Sequence, residues 1–183
     1  MSKVSSEGLF PNSVAVYQDL VYVLNAHTPN VAGFRLSSGV LQPIPGAVFD
    51  IPGGTTAKPH DIRFSPDGTS LVVTVEGTNQ IHVLPLNSQG LVTCITSTAA
   101  SGTAPFGFKF ARGGVLVTTE ANSASVSSYR LTSQNTLSVI SAAVMNGQAA
   151  TCWISVTGDG KFAFVSNTGS GTLSTCQGAE LVS

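Results

Sequence analysis

The sequence predicts an all-β protein built from repeated four-stranded antiparallel sheets. Three observations predict it: a self-match at a regular spacing, period-two apolar alternation within each copy, and turn signals between the alternating runs. The self-match appears when PNSVAVYQDLVYVLNA from Pro11, PHDIRFSPDGTSLVVTVEG from Pro59, PFGFKFARGGVLVTTEAN from Pro105 and TCWISVTGDGKFAFVSNTG from Thr151 are aligned; their starts lie 48, 46 and 46 residues apart. No stretch of useful length shows the 3.6-residue period of a helix.

Each copy opens with an alternating apolar pair: Val14/Val16, Ile62/Phe64, Phe108/Phe110 and Ile154/Val156. Alternation with period two means a strand. A turn follows (YQD, SPDG, ARGG, TGDG), two of the four ending in the Asp-Gly hairpin signal. The second strands are LVYVL, SLVVTV, VLVTT and KFAFVS, and they stop at Asn25, Glu76, Glu120 and Asn167, which read as corresponding positions. Third strands follow as VAGFRL, IHVLPL and VSSYRL, closed by Leu36, Leu86 and Leu131, and fourth segments as LQPI, LVTCI and LSVI. In the last copy the third strand, TLSTCQG, loses the pattern, and the sequence stops at Ser183.

Four-stranded units at this spacing are the signature of propeller blades. A blade cannot bury both faces alone, so the apolar pairs above are expected to form the blade-to-blade core. The predicted blades are 11–48, 59–98, 105–144 and 151–183, three complete and one partial, in a single β-propeller domain over 1–183. The opening MSKVSSEG reads as the tail of a preceding fourth strand. That opening fits either a piece of a larger ring or a closed four-bladed one; the piece is favoured because TLSTCQGAELVS lacks the motif of its predecessors, with self-association expected through open blade edges.

Charged residues are 9% of the chain and the formal net charge is −1, which excludes the electrostatic footprint of a nucleic-acid or anionic-membrane binder. No window approaches the ~18 apolar residues of a membrane span, and MSKVSSEGLFPNS lacks a signal-peptide run, so a cytoplasmic protein is expected. Cys94, Cys152 and Cys176 are spaced by 58 and 24 residues, which fits no zinc pattern. They read as three reduced thiols, two of them on strands. The sequence carries no G-x-S-x-G elbow and no Gly-rich strand-to-helix loop, so a serine nucleophile of that type and a phosphate cradle are both unsupported.

In an antiparallel meander the first strand begins on the side where the second strand ends. His60, before strand one, and Glu76, after strand two, should therefore share one face near a central axis. The same reasoning adds Asn25, Lys58, Phe106, Glu120, Cys152, Trp153 and Asn167, with Arg63 and Lys109 at matching positions further along strand one. An imidazole, carboxylates and cations together suit proton transfer beside an anionic substrate. The plainer alternative is that the carboxylates cap loop amides and His60 meets a backbone carbonyl. His27 and His82 are expected to be solvated. No cofactor and no His/Cys metal site are expected; a divalent cation held at the channel mouth by Glu76, Glu120, Asn25 or Asn167 is the one ionic option, since oxygen ligands suit calcium or magnesium.

VYVLNAHTPNVAGFRL, PHDIRFSPDGTSLVVTVEGTNQIHVLPL and PFGFKFARGGVLVTTEANSASVSSYRL resemble the lactonase-type seven-bladed propeller family, which includes 6-phosphogluconolactonase-like proteins and carboxymuconate lactonizing enzymes. The resemblance reaches to about Gly171 and implies that the chain is roughly half of a ring. It also implies a small lactone or carboxylate as substrate and either a lactone hydrolase or a lactonizing cycloisomerase as activity. Its histidine and glutamate match His60 and Glu120 in kind, and Lys109 stands where an arginine is looked for. The catalytic set so implied is His60, Glu120 and Lys109; Arg63, Glu76, Lys58, Asn25, Asn167 and Trp153 would bind substrate. A non-catalytic scaffold and an inactive truncated product are the competing readings.

Overall fold

The computed structural model describes residues 3–177. The strands form four meander sheets. The first is β1 (Pro11–Tyr17), β2 (Leu20–Asn25), β3 (Asn30–Ser37) and β4 (Val40–Asp50). The second is β5 (Pro59–Phe64), β6 (Ser70–Val75), β7 (Gln80–Pro85) and β8 (Thr96–Ala99). The third is β9 (Pro105–Phe110), β10 (Val115–Glu120), β11 (Ser125–Leu131) and β12 (Leu137–Met145), and the fourth is β13 (Thr151–Val156), β14 (Phe162–Asn167) and β15 (Thr172–Gln177). Within each sheet the strands lie side by side in chain order. Among the described residues no helix is long and apolar enough to cross a membrane.

Two strands differ from expectation. The fourth strand of the second sheet is Thr96–Ala99 rather than LVTCI, because Asn87 Oδ1 accepts the N–H groups of Gln89 and Leu91 and holds that stretch as a loop. Leu91, Val92 and Ile95 pack on the core from this loop. In the last unit TLSTCQ does form a strand, β15, in unbroken register with β14. Backbone pairing does not need an apolar pattern, and Asn167 Nδ2 donates to Thr172 Oγ1 and Ser174 Oγ to fix it. The expected remainder of that blade, 178–183, lies outside the described residues, as do Met1 and Ser2 of the opening MSKVSSEG.

The chain groups into two compact units. The first runs to Thr78 and takes in His82–Thr96; the second comprises Asn79–Ile81 and the chain from Ser97. In the first unit the core lies between the first two sheets: Tyr22, Leu24 and Val31 pack with Ile62, Phe64, Leu71 and Val73. Tyr22 donates its hydroxyl to the Gly90 carbonyl, and burial pushes its phenol up to about 12 against the opposing pull of the Arg35 guanidinium. In the second unit Val115, Val117 and Val126 pack with Ile154, Ala163 and Val165. The three cysteines are free thiols, with Cys152 on β13 and Cys176 on β15.

The apolar pairs do not all become core. Ile62 and Phe64 are 0% and 8% exposed, whereas Val14 and Val16, at the same register positions of the first sheet, are 59% and 61% exposed. The first sheet packs through its other face, on which Ala15 and Tyr17 sit. The fourth sheet shows the complementary case. Phe164 and Leu173 correspond in register to the fully buried Tyr22 and Val31, yet are 45% and 77% exposed.

The contrast gives a direct test of register. Ile62→Ala is expected to cost about 2–5 kcal/mol of unfolding free energy in urea, as a core truncation does, while Val14→Ala, at the matching position, should stay within about 0.5 kcal/mol.

Candidate functional site at the start of the second sheet

The site is set by the way each first strand begins. Phe10, Lys58, Ala104 and Ala150, the residues immediately before β1, β5, β9 and β13, all have positive φ, at 62°, 49°, 61° and 52°. The carbonyl of each accepts the N–H of the residue that follows the paired end of the second strand: Ala26, Glu76, Ala121 and Thr168. A bulge follows within each first strand. In the second sheet Pro59 pairs with Val75 and Asp61 with Thr74, leaving His60 as the extra residue. The same irregularity falls between Pro11 and Ser13, between Pro105 and Phe108, and between Thr151 and Trp153. Bulges re-aim a side chain out of the alternating pattern.

This register corrects the expected equivalence of Asn25, Glu76, Glu120 and Asn167. The partners of Pro11, Pro105 and Thr151 are Asn25, Glu120 and Asn167, but the partner of Pro59 is Val75. Glu76 stands one residue later, at the position of Ala26, Ala121 and Thr168. The two second strands run in step, Val21 corresponding to Leu71, but the first amide or carboxylate residue falls at the paired end in the first sheet and one residue beyond it in the second.

The two classes of position have different work. Asn25, Glu120 and Asn167 are buried and tie loops together. Glu120 accepts from Gly102 N at 2.6 Å, Ser127 Oγ at 2.8 Å and Ser125 Oγ at 2.6 Å. Gly102 is required there, because a Cβ would lie 2.2 Å from Glu120 Oε2. Asn25 Nδ2 donates to the Ser6 carbonyl and to Asn30 Oδ1. Asn167 Oδ1 accepts from Asn146 and Thr151. Glu120 is thus a structural carboxylate with no exposed surface for a substrate, contrary to its expected catalytic role. Of the oxygens expected to hold a divalent cation, those of Glu120 and Asn167 are engaged in these buried loop ties, whereas the buried Asn25 Oδ1 accepts no hydrogen bond.

Glu76 instead meets His60: Nε2 and Oε2 lie 2.5 Å apart, with the side chains 23% and 30% exposed. The loop over 52–58 closes beside them because Gly77 has no Cβ, whose place would lie 1.7 Å from the Thr56 carbonyl oxygen. The pair borders a cleft of about 500 Å³ with Lys58, Phe10, Asn12, His27 and Thr55. Asn12 Nδ2 donates to the Pro59 carbonyl, and Ser13 Oγ to Asp61, joining β1 to β5. Arg63 is held by buried Asp61 at 2.9 Å, so much of its charge is already matched.

The remaining expected residues lie in the second unit. Lys109 is half-buried on β9, opposite Val117 on the face that packs with β13. Trp153, 47% exposed on β13, meets Phe106 edge-to-face at 5.1 Å. His82 is not solvated: it is fully buried on β7, and burial pushes its imidazole below the ordinary 6.5. His27 is exposed, as expected, but it stacks on Phe10 and lines the cleft. Phe10, Asn12 and Thr55 were not anticipated. Two signals could have found the first two: Phe10 precedes Pro11 as Lys58 precedes Pro59, and Asn12 aligns with His60.

A family model described as lactonase, 7-bladed beta-propeller, matches residues 11–137. The chain belongs to this lactonase family. Solved structures agree in fold. A protein of Bacteroides fragilis provisionally assigned as a 6-phosphogluconolactonase superposes with a TM-score of 0.73 at 19% identity, over 93% of this chain and 57% of that one. The periplasmic gluconolactonase of Pseudomonas aeruginosa gives 0.69 at 17%, over 90% and 55%. Virginiamycin B lyase of Staphylococcus aureus, in a catalytically inactive form with quinupristin, gives 0.64 at 16%, over 91% and 55%. The chain therefore spans little more than half the length of these proteins. No curated protein sequence matches it.

The two glutamates should separate on mutation. Glu120→Ala strands three buried donors and is expected to cost about 3 kcal/mol or more in urea unfolding, whereas Glu76→Ala, partly exposed, should cost less than about 1 kcal/mol.

Proposed function

We propose that this lactonase-family chain opens small lactones at the His60–Glu76 cleft by general acid–base chemistry. One observation carries the reading. The fold repeats the same bulged position and its partner four times, as Asn12/Ala26, His60/Glu76, Phe106/Ala121 and Cys152/Thr168. Only the second pair joins an imidazole to a carboxylate, and that pair borders a cleft.

In the proposed step a water attacks the lactone carbonyl while the His60 imidazole takes its proton. Glu76 fixes the ring and stabilises the imidazolium that forms. The Lys58 ammonium, in the same cleft, stabilises the oxyanion of the tetrahedral intermediate. The ring C–O bond then breaks, and the proton held by His60 passes to the leaving oxygen, giving a hydroxy acid. The reverse sequence would close a lactone from such an acid. Glu120 and Lys109 take no part in this scheme.

His60→Ala should lower kcat for ring opening of glucono-δ-lactone or dihydrocoumarin by about 10²–10⁴-fold, measured by pH-stat, with an unchanged urea midpoint. Turnover equal to that of the parent chain would remove His60 from the mechanism.

A further inference from the structure

The cleft carries one feature that ring opening does not require. Phe10 is 58% exposed on a backbone at φ 62°. It stacks on His27 with ring centroids 4.4 Å apart and planes 12° apart. The positive φ is shared with Lys58, Ala104 and Ala150 and belongs to the repeat, whereas the large water-facing ring is particular to Phe10. Both rings border the cleft that holds His60, Glu76 and Lys58. His27 also continues into an adjoining hollow of about 700 Å³ beside Pro29, Pro52 and Gly53.

The cleft therefore combines a flat π surface with an ammonium and an imidazole. Its other polar lining groups are Asn12, Thr55 and Glu76, and Asn12 Oδ1 is buried without a hydrogen-bond partner. Asn12 already donates its amide to the Pro59 carbonyl. A flat ring needs only surface, and stacks best on another π face. A carboxylate on that ring finds Lys58.

We propose that the cleft selects aromatic or conjugated ring acids, and lactones derived from them, over polyhydroxylated ones. The Phe10–His27 pair stacks on the ring and Lys58 holds the carboxylate. The proposal rests on reading the His60–Glu76 cleft as the ligand site, and it makes Phe10 and His27 specificity-determining residues.

The test is an NMR titration of the whole chain with benzoate, cyclohexanecarboxylate and gluconate, following the imidazole C–H signals of His27, His60 and His82. Single histidine variants assign the signals, and buried His82 serves as the internal control. Benzoate is expected to shift His27 and His60 but not His82, and to bind about three- to tenfold more tightly than cyclohexanecarboxylate, the range that aromatic pairing supplies. Gluconate should bind most weakly. Phe10→Leu should erase the benzoate preference, and Lys58→Gln should weaken benzoate and cyclohexanecarboxylate alike. Equal affinities in the parent chain, a preference that survives Phe10→Leu, or an unmoved His27 signal would overturn the proposal. Lactone turnover is not the readout. An intact aromatic preference in a chain without His60-dependent ring opening sinks the acid–base mechanism alone, and ring opening without the preference sinks this proposal alone.

Discussion

Holding an L-residue at positive φ costs about 1–2 kcal/mol, and this chain does so at Phe10, Lys58, Ala104 and Ala150, once before each first strand. The arrangement persists because the carbonyl of each such residue is locked by an N–H from the end of the second strand. With the backbone turned in this way the strand starts one residue out of step, and a bulge absorbs the surplus. Without that step His60 would alternate like any strand residue. With it, His60 leaves the ladder and reaches Glu76. Phe10, Asn12, Lys58 and His60, which line the cleft, are positioned by this backbone constraint.

The same geometry with different side chains gives two outcomes. Beside the bulge, the polar position at the end of the second strand is used three times to fasten a loop, by Asn25, Glu120 and Asn167. The second sheet has Val75 there, which goes into the core. Its loop is instead closed by the backbone contact of Gly77 with Ala57, and Glu76 is left available to the imidazole. A scaffold of repeated sheets can thus hold one reactive pair among structural counterparts. The fold family alone does not name a reaction, since the solved relatives of similar architecture include both a gluconolactonase and a lyase.

The repeat, the strand type and the meeting of His60 with Glu76 were legible in the sequence because alternation and spacing report strand topology directly. The register of Glu76 was not. SLVVTVE and LVYVLN both end on their first amide or carboxylate residue, and only the backbone pairing shows that Val75, not Glu76, stands where Asn25 does. Glu120 entered the expected catalytic set through the family resemblance, which does not report that its carboxylate is buried and filled by three donors. His82 misled because a histidine alternating with Ile81 and Val83 reads as outward-facing, while the sheet buries both of its faces at that point. The exposure of Val14 and Val16 was equally invisible, since alternation tells that two faces differ and not which one is covered.

The account stands on the contact between His60 Nε2 and Glu76 Oε2. Nitrogen-15 NMR of the three imidazoles in the parent chain and in Glu76→Gln tests it most directly. The His60 Nε2 resonance should move strongly in the variant, while those of His27 and His82 hold their places. An unchanged His60 spectrum would show that the two side chains do not meet and would contradict the account.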